Sequence, residues 1–134
     1  MKYILAFLLT SFSLSLFAQA IKWEKDRHDF GKIQEQGGAV EVDFEFKNTG
    51  DKPLVLRKVQ TSCGCTVADY SKEPIKKGKT GAVKIFFDPK NRPGPFSKTI
   101  SVFANTKPDF FLLHIQGVVE PRPKTIEDLF SYKD

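Results

Sequence analysis

The chain has 134 residues, a formal net charge of +5 and 28% charged residues. That length suits one compact domain plus a short extra segment. The basic excess is spread along the chain, without a tight Lys/Arg run interleaved with aromatics, which argues against a nucleic-acid surface.

Residues 1–20 read as a secretory signal peptide. Lys2 supplies the positive start, Ile4 to Phe17 is mostly apolar, and Ala18-Gln19-Ala20 fits a small-x-small cleavage pattern. Cleavage near Ala20-Ile21 would deliver the chain to a periplasm or the exterior. The apolar run is short and dotted with serine, so no membrane span is expected in the mature chain. The single methionine, Met1, would leave with the leader.

Ile21 to Glu24 and His28 to Ile33 are expected as short strands, the second split by Gly31. Trp23 is expected as a core or sheet-edge anchor. From Ala39 to Asn48 the pattern is clean: Val40, Val42, Phe44 and Phe46 alternate with Glu41, Asp43, Glu45 and Lys47. Period two of this kind predicts a strand with one apolar and one charged face. Asn48 to Pro53 is a turn cluster. Leu54 to Ser62 reads as a strand whose parity breaks at Val59, which a bulge near Arg57-Lys58 would restore. Cys65 to Tyr70 is expected to continue that strand after a kink at Gly64. A turn at Lys76 to Lys79 precedes a strand over Ala82 to Phe87, with Val83, Ile85 and Phe87 inward. Asn91 to Pro95 turns the chain into a strand over Phe96 to Ala104. After a turn at Asn105 to Asp109, Phe111, Leu113, Ile115 and Val119 line one face of the last strand. His114 has the opposite parity, as an outward strand residue rather than a catalytic base.

About seven short strands, with turn signals every 8–12 residues or so, predict an all-β antiparallel sandwich over residues 21–120. Residues 121–134 form a tail. Thr125 to Phe130 could make a short helix capped by Thr125, either frayed or docking Ile126, Leu129 and Phe130 on this domain or a partner.

Cys63 and Cys65 are the only cysteines. In an extended strand residues i and i+2 share a face, with Cα atoms roughly 6.5–7 Å apart, at the upper edge for a disulfide. A positive φ at Gly64 would tighten the turn and bring the sulfurs together. Four readings stay open: a local, labile disulfide; a quiet structural pair; a copper or zinc site, with His114 or His28 as a further ligand; or a mixed disulfide to a partner. Cys-x-Cys is not the Cys-x-x-Cys redox motif, and no serine–histidine–carboxylate set, phosphate loop or zinc-protease motif occurs, so no enzyme and no resident cofactor are expected.

The landmarks come in a telling order. They are Phe30-Gly31-Lys32-Ile33, Phe44-Glu45-Phe46-Lys47-Asn48-Thr49-Gly50, Pro53-Leu54, Thr61-Ser62-Cys63-Gly64-Cys65-Thr66, the Pro74 to Gly78 turn, Phe87-Asp88 and Ile115-Gln116-Gly117. This series resembles the bacterial domain of unknown function catalogued as family 1573, over about Trp23 to Val119. The resemblance implies an exported, immunoglobulin-like sandwich similar to PapD-like and ASH-type domains. It implies no activity. The expectation is therefore an exported binding or assembly module, with an unidentified protein partner joining by edge-strand addition. Its rival is a thiol-based redox or metal-handling protein. In either case Cys63, Gly64, Cys65 and Thr66 are the candidate site.

Overall fold

A computed structural model describes residues 20–131. The expected leader, apart from Ala20, lies outside them.

Eight strands form two four-stranded sheets. They are β1 (Ile21–Trp23), β2 (Arg27–Gln34), β3 (Val40–Asn48), β4 (Leu56–Thr61), β5 (Thr66–Tyr70), β6 (Thr80–Phe87), β7 (Gly94–Ala104) and β8 (Phe110–Glu120), followed by helix α1 (Ile126–Phe130). One sheet has the order β1-β3-β6-β5 and the other β2-β8-β7-β4. The alternation read from β3 holds: Val42, Phe44 and Phe46 are buried and the charged residues between them are exposed. On the neighbouring strand β6, Ile85 opposes Val42, Val83 opposes Phe44 and Phe87 opposes Val40. Ile100 and Val102 of β7 and Leu113 and Ile115 of β8 close the core from the second sheet.

Two features differ from the sequence expectation. The sandwich is antiparallel except for one pair, because β2 runs parallel to β8. Its register shifts between Asp29 and Lys32, where Gly31 adopts φ +66°, a conformation that glycine takes without penalty. Secondly, β5 does not extend β4. It leaves that sheet and pairs with β6 in the other one, so the Cys-Gly-Cys segment is a crossover between the sheets. The tail forms the short helix, and of the alternatives left open for it, docking on this domain is not what the structure has. Ile126, Leu129 and Phe130 are 73%, 66% and 73% exposed. The helix start is held by Asp128, whose carboxylate accepts from the Thr125 N–H and hydroxyl and pairs with Arg122 at 3.0 Å.

The expected bulge in β4 is present, as a register shift between Leu56 and Lys58. It turns Arg57 and Lys58 both outward, whereas Leu56 is buried. Trp23 packs against Phe46 and Phe111, with ring centroids 5.0 and 6.0 Å apart, as a core anchor at the end of a short edge strand. No helix among the described residues is long and apolar enough to cross a membrane.

Candidate functional site

Cys63 and Cys65 are joined as a disulfide, with Cα atoms 5.4 Å apart. The expectation of a left-handed Gly64 is not met: the positive-φ glycines are Gly31, Gly38, Gly78 and Gly94. A turn closes the pair instead. The Thr66 N–H donates to the Cys63 carbonyl at 3.3 Å, across Gly64 and Cys65. The spacing is that of a folded turn, not of an extended strand, and lies inside the ordinary disulfide range. The Thr61 hydroxyl stands 3.1 Å from the Cys63 carbonyl and 2.9 Å from the Thr66 carbonyl, and so bridges the turn from the last residue of β4.

The two sulfurs differ in environment. Cys65 is buried in the core at 6% exposure, whereas Cys63 is half-buried. The Cys65 N–H points at the Cys63 sulfur at 3.3 Å. The hydroxyl of Thr66, itself buried, lies 3.8 Å from the Cys63 sulfur and 3.7 Å from the Cys65 sulfur. Beneath them Phe87 and Phe96 stack with centroids 4.0 Å apart. An open depression beside the pair is lined by Cys63, Cys65, Phe96, Arg92 and Lys98 among others. Arg92 and Lys98 could not be linked to the pair from sequence, since the crossover from β6 to β7 and the start of β7 bring them there.

His114 is not brought to the sulfurs. It is in register with Arg27 and Thr99, and its Nδ1 lies 3.3 Å from the Thr99 hydroxyl. His28 lies on the opposite edge strand, packed edge-on against Phe30 at 4.6 Å. Burial, then the Lys25 ammonium 3.3 Å away, hold its pKa below the ordinary histidine value, with Asp29 opposing. Among the described residues no three His, Cys, Asp or Glu side chains stand together as a metal site.

A second feature follows from the crossover. β5 is an edge strand, and the Asp88 N–H donating to the Cys65 carbonyl at 3.0 Å sets which of its groups face β6. By the alternation of antiparallel ladders, Val67 and Asp69 direct their backbone groups to β6, and Thr66, Ala68 and Tyr70 direct theirs to the open edge. Those of Thr66 are taken up by Cys63 and Thr61. The backbone groups of Ala68 and Tyr70 face outward.

The other three edges are blunted in the ways that discourage strand addition. β1 is three residues long; β2 carries Arg27, Lys32 and a register irregularity; β4 carries Arg57, Lys58 and a bulge. β5, with the sequence Thr-Val-Ala-Asp-Tyr, has neither cation, proline nor bulge, and Val67 on it is 59% exposed. The sequence holds the signal for this, the lack of Lys, Arg and Pro over residues 66–70, but only the topology shows that the strand is an edge.

A family profile described as protein of unknown function (DUF1573) matches residues 21–119. No curated protein matches the chain. Among solved structures, a protein of unknown function from Porphyromonas gingivalis W83 is 19% identical with a TM-score of 0.64, over 75% of this chain and 46% of that one. The chain thus spans less than half the length of that relative. The ASH/PapD-like domain 7 of human CEP192 is 11% identical with a TM-score of 0.63, over 78% of this chain and 87% of that one. The YadV chaperone is 13% identical with a TM-score of 0.51, over 78% of this chain and 53% of that one. At these identities the likeness shows the fold alone: a PapD-like, immunoglobulin-like sandwich. No catalytic family is indicated.

Proposed function

The chain belongs to the DUF1573 family of proteins of unknown function, and from that premise we propose that it is an exported binding and assembly module that takes up a partner's strand along the open edge of β5. Export rests on the leader-like residues 1–20. The edge carries the reading. Among the described residues it is the one edge strand without a cation, proline or bulge to discourage a neighbour, and two of its residues offer outward backbone groups. A partner strand would satisfy those groups and cover the exposed Val67. The disulfide turn immediately before Thr66 fixes the start of this strand, so the acceptor edge is held in place before a partner arrives.

Two substitutions test this without removing the β6 ladder. Ala68→Pro deletes an N–H that faces outward, where proline is tolerated on an edge strand. Val67→Lys places a charge on the solvent face of the same edge. Both variants should fold and melt near the parent, and both should lose partners cross-linked to the exported protein in its own compartment. Unchanged cross-linked partners with both folded variants would rule out β5 as the acceptor.

A further inference from the structure

We propose that the Cys63–Cys65 disulfide is a thiol-exchange site, at which an external anionic thiol is captured on Cys63. The two sulfurs are unequal in a way that directs attack. Both cysteines line the depression, but Cys63 is half-buried whereas Cys65 is only 6% exposed. Exchange depends on access to the sulfur under attack, and here access selects Cys63. Arg92 and Lys98 line the same depression, so an approaching thiol with negative charge is favoured over a cationic one.

The incoming thiol first gives its proton to solvent. Its thiolate electron pair forms a bond to the Cys63 sulfur. The Cys63–Cys65 bond breaks and its electron pair leaves on the Cys65 sulfur. Burial opposes charge there, and the Thr66 hydroxyl, 3.7 Å from that sulfur, is the donor placed to meet it until it takes a proton from water. The Cys65 N–H, 3.3 Å from the Cys63 sulfur, serves the other sulfur in the same way when it is the thiolate. A second thiolate then attacks the external sulfur of the mixed disulfide and expels the Cys63 thiolate. Two external thiols are oxidised to one disulfide, and one protein disulfide is reduced by the same two electrons. Alternatively the Cys65 thiolate re-attacks Cys63 and releases the captured thiol. The site needs no partner strand on β5, so it stands or falls separately from the edge reading.

The test uses the oxidised mature chain with excess reduced glutathione, acid quenching, and mass-spectrometric location of the adduct. Glutathione should be found on Cys63, with Cys65 free, at least about tenfold more often than the reverse. An adduct chiefly on Cys65, or shared equally, would overturn the assignment. This readout needs no variant and survives any instability of cysteine substitutions. The charge preference is read from the ratio of initial rates with glutathione and with cysteamine, a cationic thiol. In the Arg92→Gln/Lys98→Gln double variant that ratio should fall about threefold or more, and an unchanged ratio would refute the part given to these two cations.

Discussion

Asn48 ends β3 and is 1% exposed, yet every polar group it owns is used. Its Nδ2 donates to the carbonyls of Lys52 and Ile75, both at 2.8 Å, and its Oδ1 accepts from the Gly50 N–H at 2.9 Å. Its backbone donates to the Lys79 carbonyl and accepts from the Gly78 N–H. One side chain thus ties the β3 turn to the segment that leads into β6. Asn48→Ala removes three side-chain bonds; the Ile75 carbonyl keeps the Leu54 N–H, whereas the Lys52 carbonyl and the Gly50 amide lose the Asn48 partner. At about 0.5–1.5 kcal/mol net per bond, the loss comes to about 2–4 kcal/mol, which is roughly 10 °C in Tm for a domain of this size. Asn48→Asp keeps the acceptor for Gly50 but turns a carboxylate toward two carbonyl oxygens. Its folded-state pKa is then raised, so the folded state binds the proton more tightly than the unfolded one. The penalty is full above the folded pKa and fades as pH falls through it toward the ordinary aspartate value of about 3.9. Urea titrations at pH 7 and pH 4 read both effects. The Ala variant should shift the midpoint at constant m-value, and the Asp variant should recover part of its loss at pH 4. A loss under about 1 kcal/mol for Asn48→Ala would refute the claim that this residue holds the turn.

Three further predictions concern the site and its supports. A Cβ at Gly117 would stand 2.8 Å from the Phe96 ring and 2.9 Å from the Gly31 carbonyl, whereas one at Gly64 would meet nothing within 4 Å. Gly117→Ala should therefore cost about 1–3 kcal/mol by overpacking and Gly64→Ala should leave the melting point close to the parent, with thermal melts reversing that order speaking against the turn described for Cys63 to Thr66. Reducing the disulfide, whose sequence separation is 2, removes a very small loop, so chain entropy predicts a loss of only about 1.5 kcal/mol. Calorimetry with and without reductant checks this, and outright unfolding on reduction would contradict it. His28 should titrate below 6.5 by NMR, and Lys25→Gln should move it upward; because the folded pKa is the lower one, its contribution to stability is present above the unfolded value and is lost as pH falls through the folded one.

Much of the sandwich was legible because its signals are local. Val40 to Asn48 alternate so regularly that the strand, its inner face and its end follow from nine residues. The lost parity at Val59 located the β4 bulge in the same way. The misread parts are those that depend on where the chain goes next. Nothing in Thr66 to Tyr70 tells which sheet it joins, since a turn and a kink look alike in sequence. The switch is visible only in the pairing of Thr66 with Phe87. The parallel pairing of β2 with β8 joins residues at opposite ends of the domain, so no neighbouring turn announces it. Of the candidate site, Cys63 and Cys65 are legible from their spacing and Thr66 from the family motif, and the three form one cluster. A positive φ at Gly64 is not what the turn uses. Arg92 and Lys98 join the cluster through the crossover from β6 into β7, and His114 is held elsewhere by its register with Thr99.

The central claim, that β5 is an open acceptor edge, is tested most directly by amide hydrogen exchange at Val67 to Tyr70, resolved by residue. In the isolated chain Ala68 and Tyr70 should exchange fast and Val67 and Asp69 slowly, as their ladder positions dictate. Adding the cross-linked partner, once purified, should slow Ala68 and Tyr70 and leave the β1, β2 and β4 edges unchanged. Protection of all four amides in the isolated chain, or new protection confined to another edge, would contradict the account.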